Sequence, residues 1–299
     1  MIPTPTYDVA VAYRVYPKVS KPALSLPFGD DKVLSAETCL KSFKNSLGSL
    51  RVKLWAILDG CPREYEELFR KHIACDDLVI VNLQGIGNGA TFDRQIDILL
   101  QQNDAAVVYF AEDDYLYLPD KFPLMINFLA SQSDVGFVSP FDHLDCYTLS
   151  LHRGPKWLKV HDSHHWRTAS STCLTFLTRK ETLKRYEHVF RSYARGNYDS
   201  SLWMSLTKQR VFNPFALIRY FAQGQFYWKI LVKAWLYNWT QILFGKKTKL
   251  WVPVPGIATH LDSNSLSPSV DWLAQIQREI EEKREISVTL RPGPSAGHS

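Results

Sequence analysis

The stretch AAVVYFAEDDYLYLPDKF, residues 105–122, decides how this chain is read. Its opening run is apolar throughout, which marks a strand covered on both faces and central in a sheet. The run stops at Glu112, Asp113 and Asp114. Three adjacent carboxylates repel one another and need a compensating charge. A divalent cation with oxygen ligands supplies one, and Mg²⁺ or Mn²⁺ commonly takes only one or two carboxylates. A solvated turn after a strand is the plainer reading of the same residues.

Upstream, strand-like and helix-like stretches alternate. YDVAVAYRVY reads as a first strand, and SAETCLKSFKNSL as a helix capped by Ser35. RVKLWAILDG reads as a second strand ending at Asp59, and PREYEELFRKHI as a helix opened by Pro62. DLVIVNL is a third strand. Gly87, Asn88 and Gly89 permit a tight turn, and TFDRQIDILLQQ then sets Phe92, Ile96 and Leu99 on one helical face. Downstream, PDKFPLMINFLA reads as a helix and VGFVSPF as a strand. This alternation predicts an α/β fold: a mixed, mostly parallel sheet with helices on both faces. Ligands bind beyond the carboxyl ends of such strands, where Asp59 and the acidic cluster both fall.

The second half is less regular. HRGPKWLKVHDSHHWRT reads as a polar loop. Its His161, His164 and His165 have a spacing that zinc can use, while Arg153, Lys156, Lys159 and Arg167 suit a loop closing over phosphates. SSTCLTFLT reads as a strand, RKETLKRYEHVFRSYARG as a helix, and NYDSSLWMSLTK as a helix starting near Asp199. Asp199 is either a helix-opening aspartate or a general base, with Asp142 and Asp145 as rivals. Residues 213–250 hold ten aromatic residues, six Lys or Arg, and no acid. Gln225, Lys229 and Lys233 would line one stripe of a helix here. Such an insert suits the membrane interface, a buried helical hairpin or a dimer surface. A terminal helix over 266–287 carries Trp272, Ile276 and Ile280 on one face, and 288–299 reads as a flexible tail.

AAVVYFAEDDYLYLPDKF resembles the acidic metal motif of GT-A glycosyltransferases, most closely the EDD version of the N-acetylglucosaminyltransferase I type, within a family 2-like chain. The resemblance is an ordered set of landmarks over residues 7–265, and it implies a Rossmann-like nucleotide-diphospho-sugar transferase domain over 1–265. By that resemblance Asp114 binds Mn²⁺ or Mg²⁺, Glu112 and Asp113 face the donor ribose and sugar, and Asp59, Asn88 and Arg94 hold the nucleotide and diphosphate. Asp199 falls where inverting members place a general base. His260 in VPGIATHLD resembles the late histidine that many members put on the metal, although the EDD type lacks it and a lone histidine is more often structural. The implied activity is sugar transfer from a nucleotide-diphospho-sugar to a glycan or lipid-linked acceptor in bacterial-type surface glycan or glycolipid synthesis. A sugar-phosphate nucleotidyltransferase shares such a sheet but usually carries a glycine-rich cationic loop after its first strand, which VAYRVYPKVSKPALSLPFGDD lacks. A sugar-nucleotide-binding module without turnover is the other alternative.

Bulk properties agree with an enzyme domain. The chain has 299 residues, 45% hydrophobic and 22% charged, enough for a sizeable core. A net charge of +5 does not by itself indicate nucleic acid. Five scattered cysteines without a C-x-x-C pair argue against a disulfide framework and for a reducing, cytoplasmic compartment. The insert leaves open association with the inner face of the membrane. Three prolines and Asp8 in MIPTPTYDVAVAYRVYP argue against a secretory leader.

Overall fold

The computed structural model describes residues 6–18, 28, 31–224, 226–262 and 265–289. In chain order the first half holds β1 (Val9–Val15), α1 (Lys32–Ser46), β2 (Val52–Asp59), α2 (Arg63–His72), β3 (Leu78–Leu83), α3 (Asn88–Gln101), β4 (Val107–Glu112), β5 (Tyr115–Tyr117), α4 (Phe122–Ser131) and β6 (Phe137–Val138). The second half holds α5 (Asp145–Thr148), β7 (Leu158–His161), β8 (His164–Ala169), β9 (Phe176–Arg179), α6 (Lys180–Phe190), α7 (Asp199–Thr207), α8 (Pro214–Ala222), α9 (Tyr227–Leu243), β10 (Leu250–Val254), β11 (Ala258–His260) and α10 (Trp272–Thr289).

Among the described residues one sheet has nine strands in the order β3-β2-β1-β4-β9-β6-β10-β8-β7. Seven strands run one way and only β8 and β9 run against them. The sheet is therefore mixed and mostly parallel, as the alternation predicts. β4 lies between β1 and β9, in the middle.

Side-chain alternation along β1 builds two cores, because successive residues face opposite sides of a sheet. Val9, Val11, Tyr13 and Val15 pack with Leu40 and Phe43 of α1, Phe69 of α2 and Phe128 of α4. Ala10 and Ala12 face Phe92, Ile96 and Leu99 of α3, with Phe190 and Trp203 beyond. The two small alanines let α3 approach closely. A second, two-stranded sheet joins β11 to β5. Trp272 and Ile276 of α10 are buried with Cys39 of α1 and Leu116 of β5.

Several expectations need correction. Asp31, not Ser35, caps α1: its carboxylate accepts from the Leu34 amide at 2.8 Å, and Ser35 lies inside the helix. Asn88 and Gly89 are not turn residues but the first turn of α3, and the turn is made by Gly87 at φ +85°. The histidine-rich segment is not a loop but the β7–β8 hairpin at the sheet edge. Its turn is Asp162–Ser163, both at positive φ. The terminal helix begins at Trp272 and continues to Thr289, so two residues assigned to the tail are helical. Residues 290–299 and Gln225 lie outside the described residues.

Candidate active site

The carboxyl ends of β1, β2 and β4 meet the N-terminus of α3 around a cavity of about 330 Å³. Its walls carry Arg14, Lys18 and Lys32, and Asp59, Glu112, Asp113 and Asp114. Gly87, Asn88 and Thr91 bring the start of α3 to the same wall. A helix N-terminus has free amides and the positive end of its dipole, which suits phosphate.

The three adjacent carboxylates have three different fates. Glu112 accepts from the Arg14 guanidinium and from the Thr175 hydroxyl at 2.7 Å. Asp113 pairs with Lys32 at 2.8 Å. Burial pushes the Asp113 carboxyl up to about 6, even though Lys32 pulls against it. Asp114 meets His260 Nε2 at 3.0 Å. Burial alone would raise the Asp114 carboxyl, but His260 more than offsets this and holds it at about 2. Burial would likewise suppress the charge on His260, yet Asp114 raises it to about 9. The pairing is built by the backbone: β11 runs antiparallel to β5 with His260 opposite Tyr115, and the Leu261 amide donates to the Asp114 carbonyl at 2.8 Å.

One atom of this cluster is unanswered. Asp114 Oδ1 is buried without a hydrogen-bond partner. Buried polar atoms are nearly always satisfied, so an orphaned carboxylate oxygen beside a cavity is free to take one further partner, such as a cation. A hard divalent ion such as Mg²⁺ or Mn²⁺ suits it. The residues present therefore fit such a metal through Asp114, with His260 beside it. Among the described residues no three His, Cys, Asp or Glu side chains converge as a ready-made cage.

The other sequence candidates fall into two groups. Asn88 belongs to the site: its side-chain oxygen accepts from Arg14, and its amide donates to the Tyr193 hydroxyl at 3.0 Å. Asp59 lines the cavity, but its carboxylate accepts from the Ile86 and Gly87 amides at 2.7 and 2.8 Å and from Thr91. It shapes the loop that opens α3. Asp199 is the first residue of α7, and Tyr198 occupies the cap position. Its carboxylate accepts from the Ser200 amide. Burial raises its pKa; the bonds from Ser200 lower it, and the charge of Glu112 adds to the rise. Asp199 does not line the cavity itself, but the half-buried Cys173 thiol is pushed up by burial and by the charges of Asp199, Glu112 and Asp114.

Arg94 is not brought in. It is exposed on α3, six residues or about 9 Å beyond the helix start, and does not line the cavity. The cations that do line it are Arg14, Lys18 and Lys32, which sequence reasoning missed. Arg14 carried a signal, a charge inside an apolar strand. Lys32 carried another, a cation at a helix N-terminus, where the dipole disfavours it. The loop cations also lie elsewhere: Lys159 pairs with Asp134 and Arg167 with Asp142. Asp142 is thereby occupied as a rival base, while Asp145 sits near His143 at 3.7 Å. His164 and His165 are adjacent on β8 and so face opposite sides of the sheet, which defeats the zinc spacing.

Fold and cavity together define an α/β protein with a charged cavity, walled by four carboxylates, three cations and the start of α3, at the carboxyl ends of its parallel strands. No family model matches the chain, and no curated protein matches it. Solved structures resemble it in outline. An active-site mutant of LgtC is 10% identical, with 96% of this chain and 98% of that one covered and a TM-score of 0.44. The glycosyltransferase GlyE of Streptococcus pneumoniae is 12% identical, with 98% of this chain and 66% of that one covered and a TM-score of 0.42. A 4-diphosphocytidyl-2C-methyl-D-erythritol synthase from Anaerococcus prevotii is 8% identical, with 67% and 83% covered and a TM-score of 0.40. None of these likenesses assigns a role to a residue here.

Proposed function

We propose that this chain is a metal-dependent glycosyltransferase of the GT-A type, moving a sugar from a nucleotide-diphospho-sugar to an acceptor hydroxyl with inversion. The observation that carries the reading is Asp114 Oδ1, a buried oxygen without a partner in the same cavity wall as the amide-bearing start of α3. In this reading the α3 amides, Arg14, Lys18 and Lys32 meet the diphosphate. Asp59 serves the donor through the loop it holds. Glu112 and Asp113 are neutralised by Arg14 and Lys32, which leaves Asp114 for Mn²⁺ or Mg²⁺, with neutral His260 as a second ligand. Such an ion, when bound, stabilises the charge of the departing diphosphate.

Asp199 takes the proton of the acceptor hydroxyl as that oxygen attacks the anomeric carbon. The bond from this carbon to the diphosphate breaks, and the nucleoside diphosphate leaves with the electron pair. A single displacement inverts the centre. A carboxylate with a raised pKa is a stronger base, which favours this role. The acceptor in this reading is a glycan or lipid-linked sugar of surface glycan synthesis, on the cytoplasmic side.

A second reading has one observation behind it. Lys18 follows β1 and lines the cavity, where sugar-phosphate nucleotidyltransferases carry a cationic loop. Products separate the two. Sugar nucleotides incubated with the protein and Mn²⁺ should release a nucleoside diphosphate, and Asp114→Asn should abolish the release. Pyrophosphate formation from a sugar phosphate and a nucleoside triphosphate would establish the second reading instead.

A further inference from the structure

We propose that α8 and α9 form a docking face for an anionic lipid bilayer. Both helices bury one stripe and leave an apolar stripe exposed. α8 buries Ala216 and Tyr220, and turns Phe215, Ile218 and Phe221 outward. α9 exposes Val232, Leu236, Trp239 and Leu243, a 4-3-4 spacing along one helical face. Its buried side includes Asn238 and Gln241. Asn238 donates toward Ser192 and Gln241 to the Lys246 carbonyl. A helix that hides amides and shows Leu236 at 68% exposure is built for an apolar medium outside.

Charge identifies that medium. An apolar groove of about 720 Å³ is lined by Leu217, Leu231 and Trp235, with Arg210 also in its wall. Arg210 also lines a smaller cavity of about 250 Å³, shared with Arg153, Lys208, Lys247 and Lys249. Lys249 also pairs with Asp134. No carboxylate lines either cavity. Trp157, 66% exposed, stands at the rim of the basic cavity. Acyl chains against the groove and phosphates over the cations would satisfy both at once. A second copy of this chain would set like charges against like in a two-fold contact. No described helix is long and apolar enough to cross a membrane, so the face lies on the surface.

The face is one helix away from Asp199. Ser201 of α7 donates to the Ile230 carbonyl of α9 at 2.8 Å, and the Lys233 ammonium sits 3.7 Å over the Tyr198 ring. Docking would therefore bring acceptors in the bilayer to the proposed base. That consequence rests on the transferase reading; the docking does not.

The test is co-sedimentation of the full chain with vesicles of phosphatidylcholine, alone or with phosphatidylglycerol. Binding should require phosphatidylglycerol, weaken with salt, and persist in millimolar inorganic phosphate. The pair Leu236→Ser with Leu243→Ser should weaken it about tenfold or more without lowering the melting temperature, since both side chains are exposed. Lys246→Glu with Lys247→Glu should remove the phosphatidylglycerol requirement's advantage. Release by inorganic phosphate would assign the basic cavity to a free anion and overturn the proposal. So would a folded wild type that ignores vesicles, or a dimer by light scattering that the serine pair dissociates. The assay reads no sugar transfer, so its failure leaves the transferase reading standing.

Discussion

Raising the pH of metal-free protein from 7 to 10 should dissolve the ion pair between His260 and Asp114. Burial alone would hold His260 below its usual 6.5, and Asp114 at 3.0 Å lifts it to about 9. The folded pKa lies above the unfolded one. The stabilisation is therefore fully present below pH 6.5 and is lost as pH rises through about 9. A rise from 6.5 to about 9 corresponds to about 3 kcal/mol. The two side chains are 27% and 29% exposed, so solvent screening trims this to about 2 kcal/mol. A chain of 299 residues unfolds with an entropy of about 0.6 kcal/mol per kelvin, which turns the loss into about 3 °C in Tm. The assay is thermal melting in chelator from pH 7 to 10, comparing wild type with His260→Gln. Lysine and tyrosine titrations act on both proteins and cancel in the difference. An equal fall in the two proteins would refute the reasoning.

Three further outcomes follow from the same geometry. Asp199→Asn should lower transfer by about 10²–10⁴ while sugar-nucleotide binding by thermal shift is unchanged; near-normal turnover would remove Asp199 from the general-base role. Asp59→Asn leaves one of the Ile86 and Gly87 amides without its acceptor and should cost about 1–3 kcal/mol, with faster amide exchange over residues 84–91; an unchanged exchange pattern would mean the loop holds itself. Asp113 has its folded pKa at about 6, above the usual 3.8, so its burial cost is present above pH 6 and relieved as pH falls toward 4. Urea unfolding should show wild type gaining stability over that range relative to Asp113→Asn, and a parallel pH response would contradict the assignment.

The first half of the fold was open to reading because its signals are local. Apolar runs such as VAVAYRV and VVYFA, each followed by a polar turn and a helical period, specify parallel strands one at a time. The hairpin at β7 and β8 was not, because its turn is Asp162–Ser163 at φ 48° and 60°. Two-residue hairpin turns ordinarily announce themselves with Asn-Gly, and here no glycine marks the reversal. The site divides in the same way. Asp59, Asn88, Asp114 and His260 lie at element ends, where order along the chain predicts convergence. Arg14, Thr175 and Tyr193 reach the site through tertiary packing, from positions where sequence period says only strand or helix, and Lys32 reaches it because α1 begins earlier than its apolar period suggests. Arg94 failed for a geometric reason: α3 starts earlier than its apolar period suggests, which carries Arg94 away from the helix end.

The charges of the cluster explain why three carboxylates can share one strand end. Arg14 answers Glu112, Lys32 answers Asp113, and protonated His260 answers Asp114, so the metal-free cluster sums to zero. A divalent cation held by Asp114 and neutral His260 would add two charges and expel one proton, leaving the cluster at +1. That sign favours a diphosphate arriving beside it. Metal and sugar nucleotide should therefore bind with mutual enhancement, and Mn²⁺ binding near pH 7.5 should release close to one proton. Calorimetry in buffers of different ionisation enthalpy measures that release. In His260→Gln the release should vanish while the enhancement by sugar nucleotide weakens. Mn²⁺ binding to wild type without proton release would place the ion away from His260 and undo this account of the charges.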